Sequence, residues 1–229
     1  MILDGRTKLF VFLSALFVTS LVVGDLIGGK LVQVNLFGWI LAMPAGMLAF
    51  PVTFLLTDLV NEFYGKKAAR YLTLVGFVMA LYTILLINWG VALPPHAWTG
   101  DAYQASYRQI FASSQRILIA SVTAYLVGQF LDIAVFHLLK VATRGRFLWL
   151  RATGSTVVSQ LVDTIVVQLL AFGSVLTLSN VFRIVFTAYV LKLIIAILLT
   201  PVIYAGHAMV ERWLGILPVP VGEEVGSPS

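Results

Sequence analysis

The chain has 229 residues, of which 60% are hydrophobic and 11% charged, with a mean hydropathy of +0.98. A soluble domain carries about 25% charged residues, so the composition excludes a water-soluble globule and implies one polytopic membrane bundle without a separate soluble domain. The absence of cysteine excludes disulfides, thiolate chemistry and thiolate metal sites.

Apolar runs predict six membrane-spanning helices near 9–29, 42–64, 69–93, 113–139, 155–178 and 183–213, an all-α transmembrane bundle forming one domain over 1–217. The first run is too long for a signal-peptide core and lacks a small-residue cleavage site, so it reads as a helix. After it, KLVQVNLFGW (30–39) alternates apolar and polar residues up to a Phe37-Gly38 turn, the pattern of a short extended excursion at the outer face. Gly65-Lys66-Lys67 ends the second helix and Pro94-Pro95 the third. The stretch 94–111 is rich in aromatic and polar residues and reads as an outer interfacial loop, with room for one amphipathic turn lying on the membrane. KVATRGR (140–146) separates the fourth and fifth helices, Ser179-Asn180 precedes the sixth, and Pro201 is expected to break it. The Pro/Gly-rich segment 218–229 reads as a disordered tail.

The cations orient these spans. With a cytoplasmic N-terminus the inner side receives Arg6, Lys8, Lys66, Lys67, Arg70, Lys140, Arg144, Arg146, Arg151 and Arg212, and the outer side Lys30, Arg108, Arg116 and Arg183. Ten against four obeys the positive-inside rule, and an even number of spans returns the C-terminus to the cytoplasm. The formal charge of +5 is therefore topological, and no nucleic-acid partner is expected.

An ionisable group in the hydrocarbon core costs roughly 2.5–3.5 kcal/mol on insertion scales, so each one needs a reason. Asp58, Asn61 and Glu62 share one helical face at the end of the second span. Glu62 is long enough to snorkel to water, whereas Asp58 is too short and lies about 9 Å in by helical rise. On the fifth span Thr156, Ser159, Gln160 and Asp163 form a polar stripe that Gln168 extends. Asp163 and, on the sixth span, Lys192 both fall near mid-membrane, about 13 and 15 Å from the starts of their helices. A short loop joins these spans, which predicts either an Asp163–Lys192 ion pair or a ligand shared between them; a purely structural bridge is the bland alternative. Arg116 lies near the outer end of the fourth span, and Gln129 and Asp132 in its inner half, beside a small-residue ridge of Ala120, Ala124 and Gly128 that suits close helix packing and permits a dimer. Asp25 and Asn88 are singletons, read as packing or gating residues.

No phosphate-binding loop, zinc-protease motif or nucleophile elbow is present, and His96, His137 and His207 lack metal-ligand spacing. The chain is therefore expected to be neither an enzyme nor a holder of any metal or cofactor. Carboxylates, amides and one lysine converging on a bundle interior suit recognition of a small polar molecule that leaves on the other side.

In order, FPVTFLLTDLVNEFYGKKAAR (50–70), Arg116 with AYLVGQFLD (124–132), STVVSQLVDT (155–164), YVLKL (189–193) and PVIY (201–204) resemble the VUT family of queuosine precursor transporters, from the first span to Tyr204. The resemblance implies a six-span bacterial inner-membrane protein serving tRNA modification. It would import 7-cyano-7-deazaguanine, 7-aminomethyl-7-deazaguanine or both. It also implies that Asp58, Arg116, Gln129, Asp132, Gln160, Asp163 and Lys192 occupy the family's motif positions; Asn61 and Glu62 join them by sharing the face of Asp58. Asp25 departs from the family pattern, where a small amide is expected. The alternative is a substrate-capture subunit for another vitamin-like heterocycle, working with an external ATPase module.

Overall fold

The computed structural model describes residues 4–36, 38–143 and 148–215. The expected tail from 218 and part of the 140–146 break lie outside the described residues, as do the side chains of Glu62, Gln129, Asp132 and Thr156.

Helix α1 spans Gly5–Ile27. Asp4 caps it, its carboxylate accepting the Thr7 N–H at 3.2 Å and thereby satisfying one donor that the first turn leaves open. Past Gly28 the chain forms an antiparallel hairpin, β1 (Leu31–Leu36) and β2 (Trp39–Pro44), with Leu36 opposite Trp39. Gly38 takes φ 86° in the turn, where Asn35 Oδ1 accepts its N–H at 3.1 Å. Lys30 O accepts the Ala45 N–H at 2.8 Å and closes the base. The extended excursion is thus present, but longer than the alternation suggested. Residues 42–44 pair in β2 and 45–48 form a 3-10 turn, so the second helix does not start at 42, and the fold is helical with one small sheet rather than all-α.

Helix α2 spans Phe50–Ala92 and consists of two limbs that meet at Gly65 (φ 81°, ψ 171°). Pro51 fits the first turn because its missing N–H has no partner to lose there. The Gly65 conformation is essentially closed to residues with a Cβ, so the break falls where the sequence places it. α1 caps the broken end: an Arg6 guanidinium nitrogen donates to the Phe63 carbonyl, and Tyr64 OH donates to the Arg6 carbonyl at 2.7 Å. Phe63, Val60, Leu56 and Leu72 pack with Leu13, Phe17 and Val210 into a core around this joint.

The remaining helices are α3 (Asp101–Ala142), α4 (Leu148–Phe172) and α5 (Leu178–Leu214). Residues 101–111, expected as loop, are the first turns of α3: their polarity reflects exposure, since most of them face outward, and not irregular backbone. α5 runs through Pro201 without a break; the proline removes one rung of the ladder but the helix continues to a left-handed Gly215 cap. α3 and α4 make the most extensive helix pair. Ala120 and Ala124 are fully buried, and a Cβ on Gly128 would stand 3.8 Å from Asp163 Cβ. The small-residue ridge works as helix glue.

Among the described residues four helices are long and apolar enough to cross a membrane: Gly5–Ile27, Lys67–Ala92, Asp101–Gly128 and Leu178–Ile195. Phe50–Asn61 and Val157–Phe172 are shorter apolar helices. Many large apolar side chains point outward, Phe12, Leu85, Phe186 and Leu198 among them, as lipid contact requires. The protein is a multi-pass membrane protein.

Candidate functional site

Two helix ends meet inside the bundle. α1 stops two residues beyond Asp25, and α2 starts at Phe50, with the hairpin and the 3-10 turn between them. The 3-10 turn, with Ala45 and Met47 buried, lines a cavity. Glycines allow the approach: a Cβ on Gly46 would lie 2.5 Å from Gly24 O, and one on Gly24 2.8 Å from Ala49 Cβ.

The space enclosed has two chambers. One, of about 170 Å³, lies toward the hairpin between Gly24, Gly46, Met47, Ile117 and Gln168. The other, of about 300 Å³, lies toward the Gly65 joint between Phe54, Thr57, Thr73, Phe77 and Tyr125. Leu21, Asp25, Phe50, Thr53, Ser121, Asp163 and Lys192 line both and form a waist between them. Most of the lining is apolar, with its charge gathered at the waist, the usual make-up of a small-molecule site.

The waist draws on every helix. From α5, Lys192 Nζ donates to Asp163 Oδ2 of α4 at 3.0 Å and lies 3.5 Å from Gln160 Oε1. The same ammonium stands 5.4 Å from the ring centroid of Phe50, which stacks on Phe54 at 5.7 Å. From α1, Asp25 reaches the Ser121 hydroxyl of α3 and feels the charge of Asp163. Thr164 and Thr53 satisfy their hydroxyls on their own helices, the first at 2.7 Å from Gln160 O, so they leave the waist to the charged groups.

The expected Asp163–Lys192 pair is therefore formed, with Gln160 beside it. The other expected residues stand differently. Asp58 and Asn61 line neither chamber, and Asn61 is exposed near the Gly65 joint. Arg116 precedes the chamber residue Ile117 without lining a chamber itself, and its Nε is buried without a hydrogen-bond partner. Asn88 faces outward and donates to its own helix at Ile84 O, 3.0 Å away. The residue that sequence reasoning undervalued is Asp25, read there only as a packing or gating singleton, which lines both chambers. Its one signal is the setting Gly24-Asp25 with Gly28-Gly29: a charge in an apolar helix flanked by residues that let another backbone come close. Among the described residues no cluster of three or more His, Cys, Asp or Glu could hold a metal ion.

The chain is similar in sequence to transporters. A family profile described as "Putative vitamin uptake transporter" matches residues 44–206. The "Probable queuosine precursor transporter" of Bacillus subtilis (strain 168) is 32% identical over 180 residues, covering 78% of this chain and 77% of its own. The "Queuosine precursor transporter" of Escherichia coli (strain K12) is 32% identical over 127 residues, 56% of this chain and 54% of its own. The "Probable queuosine precursor transporter" of Haemophilus influenzae (strain ATCC 51907 / DSM 11121 / KW20 / Rd) is 30% identical over 128 residues, 56% and 51% of the two chains. No solved structure matches. The profile match covers most of the chain and includes the joint, the waist carboxylate Asp163 and its lysine, so the chain belongs to the vitamin uptake transporter family and is a transporter, not an enzyme.

Proposed function

We propose that the protein imports queuosine precursors, 7-aminomethyl-7-deazaguanine and 7-cyano-7-deazaguanine, across the bacterial inner membrane, holding each at the waist between the chambers. The observation that carries this reading is the Asp163–Lys192 pair, 3.0 Å apart at the point where the two chambers meet. The deazaguanine edge presents two adjacent N–H donors next to a carbonyl oxygen. A carboxylate beside an ammonium presents the complementary order, two acceptor oxygens and then a donor. Phe50 offers the face on which a flat ring stacks, and Gln160 adds an amide to the Lys192 side.

In this proposal Asp163, Lys192 and Gln160 contact the base. Asp58, Asn61 and Arg116, which line neither chamber, act on the base only indirectly in this proposal. Six spans with both termini in the cytoplasm fit the ten-to-four cation distribution, with the Gly65 joint at the cytoplasmic end. Lysines and an arginine following Gly65 support that placement.

The test is uptake of each labelled deazaguanine into liposomes holding the purified protein. Wild type concentrates or equilibrates the label saturably with no ATPase present. Asp163→Asn and Lys192→Met lower uptake at least about tenfold, the scale of one lost charge-assisted bond pair, while remaining monodisperse in detergent. Undiminished uptake by both variants overturns the assignment of the waist, and no saturable uptake by wild type overturns the function.

A further inference from the structure

The waist pair leaves charge unaccounted for. Among the described residues, Asp25, Asp163 and Lys192 are the charged side chains that line the chambers, two carboxylates against one ammonium. Lys192 is committed to Asp163. Asp25 has the Ser121 hydroxyl, a neutral partner. A carboxylate in so apolar a setting is stable only when a proton or a cation joins it.

A second and independent feature points the same way. Gln168, one turn and a residue beyond Asp163 on α4, is 4% exposed and lines the hairpin-side chamber together with Asp25. Its Oε1 is buried and accepts no hydrogen bond. Buried amide oxygens are rarely left so, because desolvation without a donor costs about 1–3 kcal/mol. The hairpin-side chamber thus holds a carboxylate and an orphan carbonyl, both seeking N–H donors.

We infer that Asp25 and Gln168 form an ammonium subsite in the hairpin-side chamber, which selects planar heterocycles bearing a protonated amine over their neutral congeners. The inference rests on the proposed function for the identity of the natural ligand. The base edge occupies Asp163 and Lys192, and a short methylene arm carries the ammonium toward Asp25 and Gln168. An ammonium has three donors and so can serve both acceptors together. A nitrile at the same position donates nothing, leaving Gln168 unsatisfied and Asp25 without a counter-charge.

Binding of 7-aminomethyl- and 7-cyano-7-deazaguanine to the purified full chain, measured by titration calorimetry, tests this. Wild type prefers the aminomethyl form. Asp25→Asn weakens the aminomethyl form by about tenfold or more, as loss of one charge-assisted contact implies, and leaves the cyano form within about threefold. Gln168→Met, which keeps the volume, narrows the preference in the same direction by a smaller factor and supplies the result if Asp25→Asn does not fold. Equal losses for both congeners would assign Asp25 to coupling or packing and overturn the subsite, as would unchanged preference in both variants. A second probe pair, benzylammonium and benzyl alcohol, carries the ammonium without the deazaguanine edge. If wild type binds neither deazaguanine, the proposed function fails, yet an Asp25-dependent preference for benzylammonium still upholds the subsite and its absence still removes it.

Discussion

Single residues decide how a mostly apolar chain tolerates its few polar groups. Arg6 is the clearest case outside the site: its guanidinium reaches from α1 to donate to the Phe63 carbonyl beside the Gly65 joint. Arg6→Ala should therefore destabilise the protein by about 1–3 kcal/mol through the lost charge-assisted hydrogen bond, seen as a lower melting temperature in detergent. Arg6→Lys should recover only part of it, because one ammonium cannot donate at Phe63 while keeping the planar contact 5.5 Å from the Tyr64 ring. An unchanged melting temperature for Arg6→Ala would show that water caps Phe63 equally well. Asp4 acts at the start of the same helix. Its hydrogen bonds from Thr7 hold its carboxyl below the ordinary carboxylate range. The folded value is thus depressed, so the cap is fully made above the ordinary carboxylate range and is lost as pH falls through the lowered value. A carboxyl titration followed by NMR should give Asp4 a midpoint below that of a free aspartate, and Thr7→Val should leave part of the shift, since the Thr7 backbone N–H remains.

At the scale of elements, two glycine positions set where helices stop. Gly65 holds φ 81° and ψ 171°, and nothing crowds its missing Cβ, so the cost of Gly65→Ala is conformational and not steric. That cost is about 1–3 kcal/mol; relief by straightening the joint would carry Thr57 and Phe54 out of register with the chamber they line. Loss of uptake together with a lower melting temperature is expected, and a variant with wild-type uptake would show that the joint does not shape the chamber. Gly46→Ala is the steric counterpart, because its Cβ would meet Gly24 O at 2.5 Å, backbone that cannot turn aside. These elements also show what was legible in the sequence. The Gly65 break, the turn at Gly38 and the C-terminal end of α2 follow from local chemistry, which glycine, proline and hydrophobic period express directly. The bounds of α4 did not: expected over 155–178, it runs Leu148–Phe172, and Ser179-Asn180, expected before the last helix, lies in the first turn of α5. The helical start of α3 was obscured because polarity at 101–111 marks exposure as readily as loop. Pro201 was misleading for the converse reason: a helix with enough apolar packing continues past one missing rung. The Asp163–Lys192 pair was legible because both residues sit at matching depth on consecutive antiparallel helices. Asp25 was not, since its place at the waist depends on α1 meeting α3, a contact between parts of the chain far apart in sequence.

For the whole molecule, two chambers joined by a charged waist pose a choice between a pore and a carrier. A continuous water path through a membrane protein would leak, whereas a waist closed by an ion pair opens only when a ligand supplies replacement partners for both charges. The geometry suits the second: Lys192 and Asp163 satisfy each other at 3.0 Å across α4 and α5, and a bound edge offering donors and an acceptor can part them without leaving either unpaired. In the proposed orientation the hairpin-side chamber communicates with the outside and the Gly65-side chamber with the cytoplasm. The chain has no cysteine, so single introduced thiols report cleanly. Val167 lines the first chamber and Thr57 the second. In sealed vesicles of known orientation, a membrane-impermeant thiol reagent should label Val167→Cys from the outer side and Thr57→Cys from the cytoplasmic side, and saturating ligand should slow both. Asp163→Asn, which loosens the pair, should let reagent from either side reach both positions. Complete labelling of both wild-type-background thiols from one side would instead mean that the waist stands open, and that solute passes down a pore rather than through an exchange of partners.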